Sequence, residues 1–193
     1  MPELFDKYNQ EAFKAGITPK TRESIEWFQA KMNSISSVNR RNLMSQSEKS
    51  TSPILGSMFM FFYDPKGKKK LPYYDRFPLS IVIDKSPGGF MGLNLHYLPN
   101  DLRAKFLDGL LDLTNNEDYD ETTKFNVTYD YLKSSRKHRF FKPCLKKYLT
   151  KHIDGNIAMI DPSDWLIATF LPSELFEKES REFVYAQSRK KLR

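Results

Sequence analysis

The chain has 193 residues, 31 Lys+Arg against 24 Asp+Glu, a formal net charge of +7 and one cysteine, Cys144. That length suits a domain with its own core, and fifteen Phe with ten Tyr argue against a disordered chain. A lone cysteine excludes an intrachain disulfide and a cysteine-based zinc cluster, the apolar stretch Ile54 to Tyr63 is too short for a membrane span, and the start Met-Pro-Glu-Leu-Phe-Asp lacks the apolar core of a secretory signal.

Residues 1–52 differ in composition from the rest. Leu4, Phe5, Tyr8, Ala12 and Ala15 share one helical face, and Gly16 breaks the pattern. Thr18 with Pro19 opens a second predicted helix, running to Asn33 with Ile25, Phe28 and Met32 on its apolar face. Ser34 to Ser52 is polar and reads as linker. The expectation is an N-terminal helical arm and polar linker over 1–52, followed by an α+β core domain over 53–193 with a basic tail. The arm docks on another molecule or packs on its own domain; the sequence leaves both open.

The core domain begins with β signals. Met58 to Tyr63 is a continuous apolar run, stopped by Asp64-Pro65-Lys66-Gly67. Leu79 to Asp84 and Phe90 to Tyr97 are two further predicted strands, joined as a hairpin through a medium loop containing Pro87-Gly88. Helices follow. One carries Leu102, Phe106, Leu110 and Leu113, a second carries Phe125, Tyr129 and Leu132, and a third opens at Pro143 with Cys144, Leu145, Tyr148 and Leu149 inward. Asn156 to Ile160 reads as a fourth short strand. Asp161 to Asp164 restarts a helix through Phe170, and Ser173 is expected to cap a last helix carrying Leu175 and Phe176. The predicted fold is α+β: a small antiparallel sheet of three to four strands packed against several helices.

Catalytic patterns are weak. No glycine-rich phosphate loop and no His-Glu-x-x-His occurs. Ser86 to Gly89 has the chemistry of a hairpin turn before that of an anion cradle. His96 reads as a satisfied structural histidine, and His138 and His152 as parts of a polar basic face. Asp118, Asp120 and Glu121 read as solvated loop charges rather than a metal cluster. No enzyme activity and no cofactor are expected. Cys144, flanked by Lys142 and Lys146, reads as a buried, inert thiol.

The charge pattern is the stronger signal. From Tyr131 to Ile153 there is no Asp or Glu, while Lys133, Arg136, Lys137, Arg139, Lys142, Lys146, Lys147 and Lys151 all fall in that window. Phe140, Phe141 and Tyr148 interleave with them. On a helix opening at Pro143, Lys142, Lys146 and Arg139 fall near one stripe, suited to a phosphate backbone. Lys66 to Lys70 is a second basic cluster and Arg189 to Arg193 a third. A solvated face, or contact with an acidic protein, fits the same residues. With no base-reading motif in view, contact with DNA is expected to be sequence-independent.

Three motifs carry a further signal: Met60 to Lys66 (MFFYDPK), Leu71 to Leu79 (LPYYDRFPL) and Gly88 to Pro99 (GGFMGLNLHYLP). Together with Arg139 to Cys144 (RFFKPC) and Lys147-Tyr148-Leu149, they resemble a family of DNA end protector-type virion proteins of T-even-like tailed phages. The resemblance covers residues from about 56 onward. It implies a non-catalytic protein that sits on the ends of packaged linear double-stranded DNA, located in the virion and, during assembly and after DNA entry, in the host cytoplasm. Its implied partners are DNA and other virion proteins, with no membrane and no small-molecule substrate. The alternative is a neck, tail or baseplate component that contacts only other virion proteins. The motif aromatics read mainly as core, with Tyr73 or Tyr74 also able to stack on a terminal base pair.

Overall fold

A computed structural model describes residues 2–115, 117–118, 121–134 and 137–192. In chain order it contains α1 (Glu3–Lys14), α2 (Arg22–Asn33), α3 (Arg40–Gln46), β1 (Glu48–Ser50), β2 (Met58–Tyr63), β3 (Tyr74–Asp75), β4 (Leu79–Ser86), β5 (Gly89–Asn94), α4 (Asn100–Thr114), α5 (Glu121–Ser134), β6 (Leu145–Leu149), β7 (Ile153–Ile160), α6 (Trp165–Phe170), β8 (Phe176–Glu177) and α7 (Arg181–Leu192). The α+β class is as expected, but the sheet is larger than the three to four strands predicted. Six antiparallel strands run in the order β1-β7-β2-β4-β5-β6, and β3 pairs with β8 in a separate ribbon.

The extra strands were hidden for physical reasons. β1 is Glu-Lys-Ser, with no apolar alternation, and exists because its backbone pairs with Ser50↔Ile157 to Glu48↔Met159 on β7. β6 replaces the helix expected at Pro143. Cys144, Leu145, Tyr148 and Leu149 have helical spacing, but the segment pairs with β5 from Leu93↔Leu145 to Gly89↔Leu149. Tertiary pairing overrides a local pattern that is ambiguous over five residues.

The central strands are buried on both faces, which explains the unbroken apolar run of β2. Met58 and Met60 join the main core beneath the helices, while Phe59, Phe61 and Tyr63 join Val82, Phe90, Tyr148 and Ile157 in a second cluster. That second cluster lies inside a curled sheet. β6 and β7 stand four positions apart in strand order, roughly 19 Å in a flat sheet. Only the short turn Thr150–His152 joins them, so the sheet must coil until its ends approach. The rings of Tyr63 on β2 and Tyr148 on β6 meet at 4.9 Å, and Leu149 N donates to the Tyr63 hydroxyl at 3.1 Å. Register shifts between Phe61 and Phe62 and between Val82 and Asp84 add local twist.

The helices of residues 1–52 bury Phe5, Tyr8, Ala12, Ile25, Phe28, Met32 and Leu43 in the same cluster as the sheet residues. The second helix starts later than predicted: Thr21, not Thr18, is its cap, in a reciprocal box with Ser24. The polar stretch read as linker contains α3, capped by Asn39, as well as β1. The last helix also moves. Leu175 and Phe176 are extended in and before β8, and α7 begins only at Arg181. Ser173 caps no helix; its hydroxyl lies 3.1 Å from His96 Nε2.

Candidate nucleic-acid interface

β6 is an edge strand, and the basic segment is laid along it. Alternation places Lys146 on one side of the strand and Lys147 on the other. Arg139 lies in a short 3-10 turn ahead of the strand, Lys142 and Lys147 are exposed, and Lys151 is exposed in the turn that follows. Lys133 is exposed at the end of α5 and Lys137 in the loop beyond it. Arg136 lies outside the described residues. The helical stripe expected for Arg139, Lys142 and Lys146 does not form, because the backbone there is turn and strand. Lysines on an edge strand also discourage pairing with another sheet.

The third dimension adds what the sequence separated. Arg139 Nε donates to Lys191 O at 3.1 Å, so the last turn of α7 is docked beside the start of β6. The helix C-terminus carries partial negative charge that a guanidinium satisfies. Lys190 and Lys191 thereby join Arg139 and Lys142. At the other end of β6, Asp64 N donates to His152 O at 2.9 Å, which brings the loop Lys66 to Lys70 toward Lys151. Lys178 Nζ staples that loop by donating to Lys68 O at 2.8 Å and Lys69 O at 3.2 Å. The three basic clusters therefore meet around one strand, about 17 Å long. Some of these cations are drawn into ion pairs: Arg189 makes a fork with Asp101 at 2.6 and 3.1 Å, and Lys68 pairs with Asp64 at 2.8 Å.

Lys146 is unlike its neighbours. It is half-buried, with Nζ 3.7 Å from the centroid of the Tyr97 ring. Burial first, then repulsion from Lys191, pulls its ammonium down to about 8. Cys144 is buried, donates to Phe141 O at 3.2 Å, and is pushed up to about 12 by burial, as an inert thiol should be.

Beneath this face is a closed polar network. His96 Nδ1 lies 2.8 Å from Asp75 Oδ2, and Asp75 also accepts from Asn94, Phe77 N and Leu175 N. Asp75, His96 and Ser173 have the order of a nucleophilic relay, yet Ser173 is 4 % exposed and every oxygen of Asp75 is already engaged. Arg103, 1 % exposed, donates to Leu98 O, Thr169 O, His96 O and the Tyr185 hydroxyl. The Arg103 contacts tie α4, the end of α6 and α7 to the turn that follows the hairpin. The sequence reading placed His96 correctly as a partnered histidine but missed Asp75, Asn94 and Arg103 and took Ser173 for a helix cap; Asp75 and Asn94 had one sign, polar residues set inside apolar motifs, and Arg103 had none. Among the described residues, no group of three or more His, Cys, Asp or Glu side chains gathers to hold a metal ion, and no helix is long and apolar enough to cross a membrane.

No curated protein and no solved structure matches the chain. A family model does, over residues 5–191, nearly the whole length and wider than the motifs from which the resemblance was drawn. By that match the chain belongs to the family described as phage T4 terminal DNA protecting protein.

Proposed function

We propose that this protein binds the ends of linear duplex DNA through the basic face around β6, without reading sequence, and shields them without catalysis. The observation that carries this reading is the docking of Lys191 against Arg139, which joins the C-terminal cluster to the central one. Crowded cations repel one another, and a polyanion relieves that repulsion while releasing its own counterions. Edge-strand lysines give backbone contacts, which position a duplex without specifying bases. The site of action on this reading is the virion, and the host cytoplasm after DNA entry.

The test is binding of a short linear duplex across a salt series. Replacing Lys142, Lys147 and Lys190 together by Ala is expected to weaken binding and to reduce the slope of log affinity against log salt by about 2 to 3. Absence of binding at low salt would refute the reading.

One observation favours a contact with another virion protein as well. Phe13 is 85 % exposed at the rim of an apolar pocket of about 820 Å³, lined by Phe28, Leu107, Leu110 and Trp165 among others. On a neck, tail or baseplate protein that pocket would be an assembly contact. Association with a neighbouring virion protein that is abolished by Phe13→Asp would support this second reading.

A further inference from the structure

Charge along β6 explains attraction to DNA but not preference for an end. A duplex interior and a duplex terminus carry the same phosphates. What only a terminus offers is the open face of its last base pair.

The fold presents a row of rings beside the basic face. Phe183, on α7, is 41 % exposed and meets the half-buried Tyr73 edge to face, with centroids 6.2 Å apart and planes at 84°. Tyr73 lies over the buried Tyr97 at 6.1 Å and 33°. Tyr97 is held in turn by Phe176 at 5.2 Å and by Lys146 Nζ at 3.7 Å. Phe183 and Tyr73 therefore rest on a packed base, which lowers the entropy lost when a partner stacks on the exposed Phe183 ring. Among the described residues, the large apolar side chains left exposed include Phe13, Ile54 and Phe183, and Phe183 is built into such a row.

Charge says which part of a nucleic acid belongs there. Glu179 and Glu182 flank Phe183 near the start of α7 and would repel phosphates. Lys190 follows Phe183 by two helical turns, about 10 Å along the same face of the helix. A neutral base face at Phe183 with phosphates directed toward Lys190 and Lys191 satisfies both ends of α7. The opposite orientation satisfies neither.

We propose that Phe183, braced edge-on by Tyr73, forms a stacking platform for the terminal base pair of a DNA end, next to the cationic face of β6. The proposal rests on the DNA-binding reading above and supplies its selectivity for ends. The experiment uses the full chain with two probes of one sequence, a blunt linear duplex and a covalently closed circle, and with 2-aminopurine placed in the terminal or an interior pair of the linear probe. The unaltered protein is expected to prefer the linear probe and to quench terminal but not interior 2-aminopurine. Phe183→Ala and Tyr73→Ala are expected to weaken linear binding about tenfold and to leave circle binding unchanged. Phe183→Trp is expected to retain the preference. Phe183 is exposed, so its variants keep the fold, which an unchanged melting curve verifies. Linear preference that survives Phe183→Ala and Tyr73→Ala, or terminal quenching that does, overturns the platform while the basic-face reading stands. Equal binding of both probes by the unaltered protein also overturns it. Failure to bind either probe overturns the DNA-binding reading itself.

Discussion

The Asp75 carboxylate and the His96 imidazole are 2.8 Å apart, and neither side chain has appreciable contact with solvent. This pair joins the β3–β8 ribbon to the end of the central hairpin, because Asp75 also takes the amide of Leu175. Burial alone would raise the Asp75 carboxyl. The imidazole beside it, with the donors on Asn94 and Phe77, outweighs burial and holds it below the usual carboxylate range.

An acid-side prediction follows from that balance. A carboxyl depressed in the fold stabilises above its unfolded value of about 3.9, and the contribution is lost as pH falls through the lower, folded value. Urea midpoints should drop steeply below about pH 4. Asp75→Asn should cost roughly 3 kcal/mol at pH 7, because it leaves buried partners unmatched, and should flatten that acid limb. Parallel pH curves for the two proteins would contradict the role given to Asp75.

Lys146 gives the same sign at the alkaline end for a different reason, since burial and a neighbouring cation, not a partner, lower its proton affinity. Its ammonium titrates near 8 in the fold and near 10.4 in an unfolded chain. The unfolded state therefore binds more protons between those values, and stability should rise with pH across that window, by roughly 3 kcal/mol. Lys146→Met should remove the rise and be more stable than the parent at pH 7. Bound phosphate restores the proton, so affinity for linear duplex should fall between pH 7 and 9 in the parent and less so in Lys146→Met. Affinity independent of pH in the parent would place Lys146 away from the phosphates.

Gly89 tests whether β6 belongs on the sheet. It starts β5 where β6 ends, and a Cβ built there would stand 1.8 Å from Tyr148 O, a backbone atom that has nowhere to retreat. The preceding Gly88 has φ +73 in the two-residue turn Pro87-Gly88, tighter than the medium loop expected. Gly89→Ala should destabilise by about 3 kcal/mol and loosen β6, seen as faster amide exchange from Leu145 to Leu149. A melting temperature and exchange profile equal to the parent's would be incompatible with the observed register.

Particular elements show what was legible and what was not. β2, β4, the β5 hairpin, α4 and α1 were readable because each carries a periodic or unbroken apolar signal long enough to decide its own conformation. β1, β3 and β8 have two or three residues each, and their backbones form strands only because a partner is present. For β6 the local pattern pointed to a helix, and the open edge of β5 decided otherwise.

The basic face divides in the same way. Sequence by itself determined that the surplus charge is segregated, with an acid-free window from Tyr131 to Ile153 and lysine clusters before and after it. It also carried the motifs that mark the family. Only the tertiary structure decided that these clusters share one edge of a coiled sheet, that Arg139 receives the end of α7, and that Phe183 meets Tyr73 across about 110 residues of chain. The reason is that charge and periodicity are local properties of the chain. Adjacency between distant segments follows from how the sheet curls to bury Phe59, Phe61 and Tyr148 together.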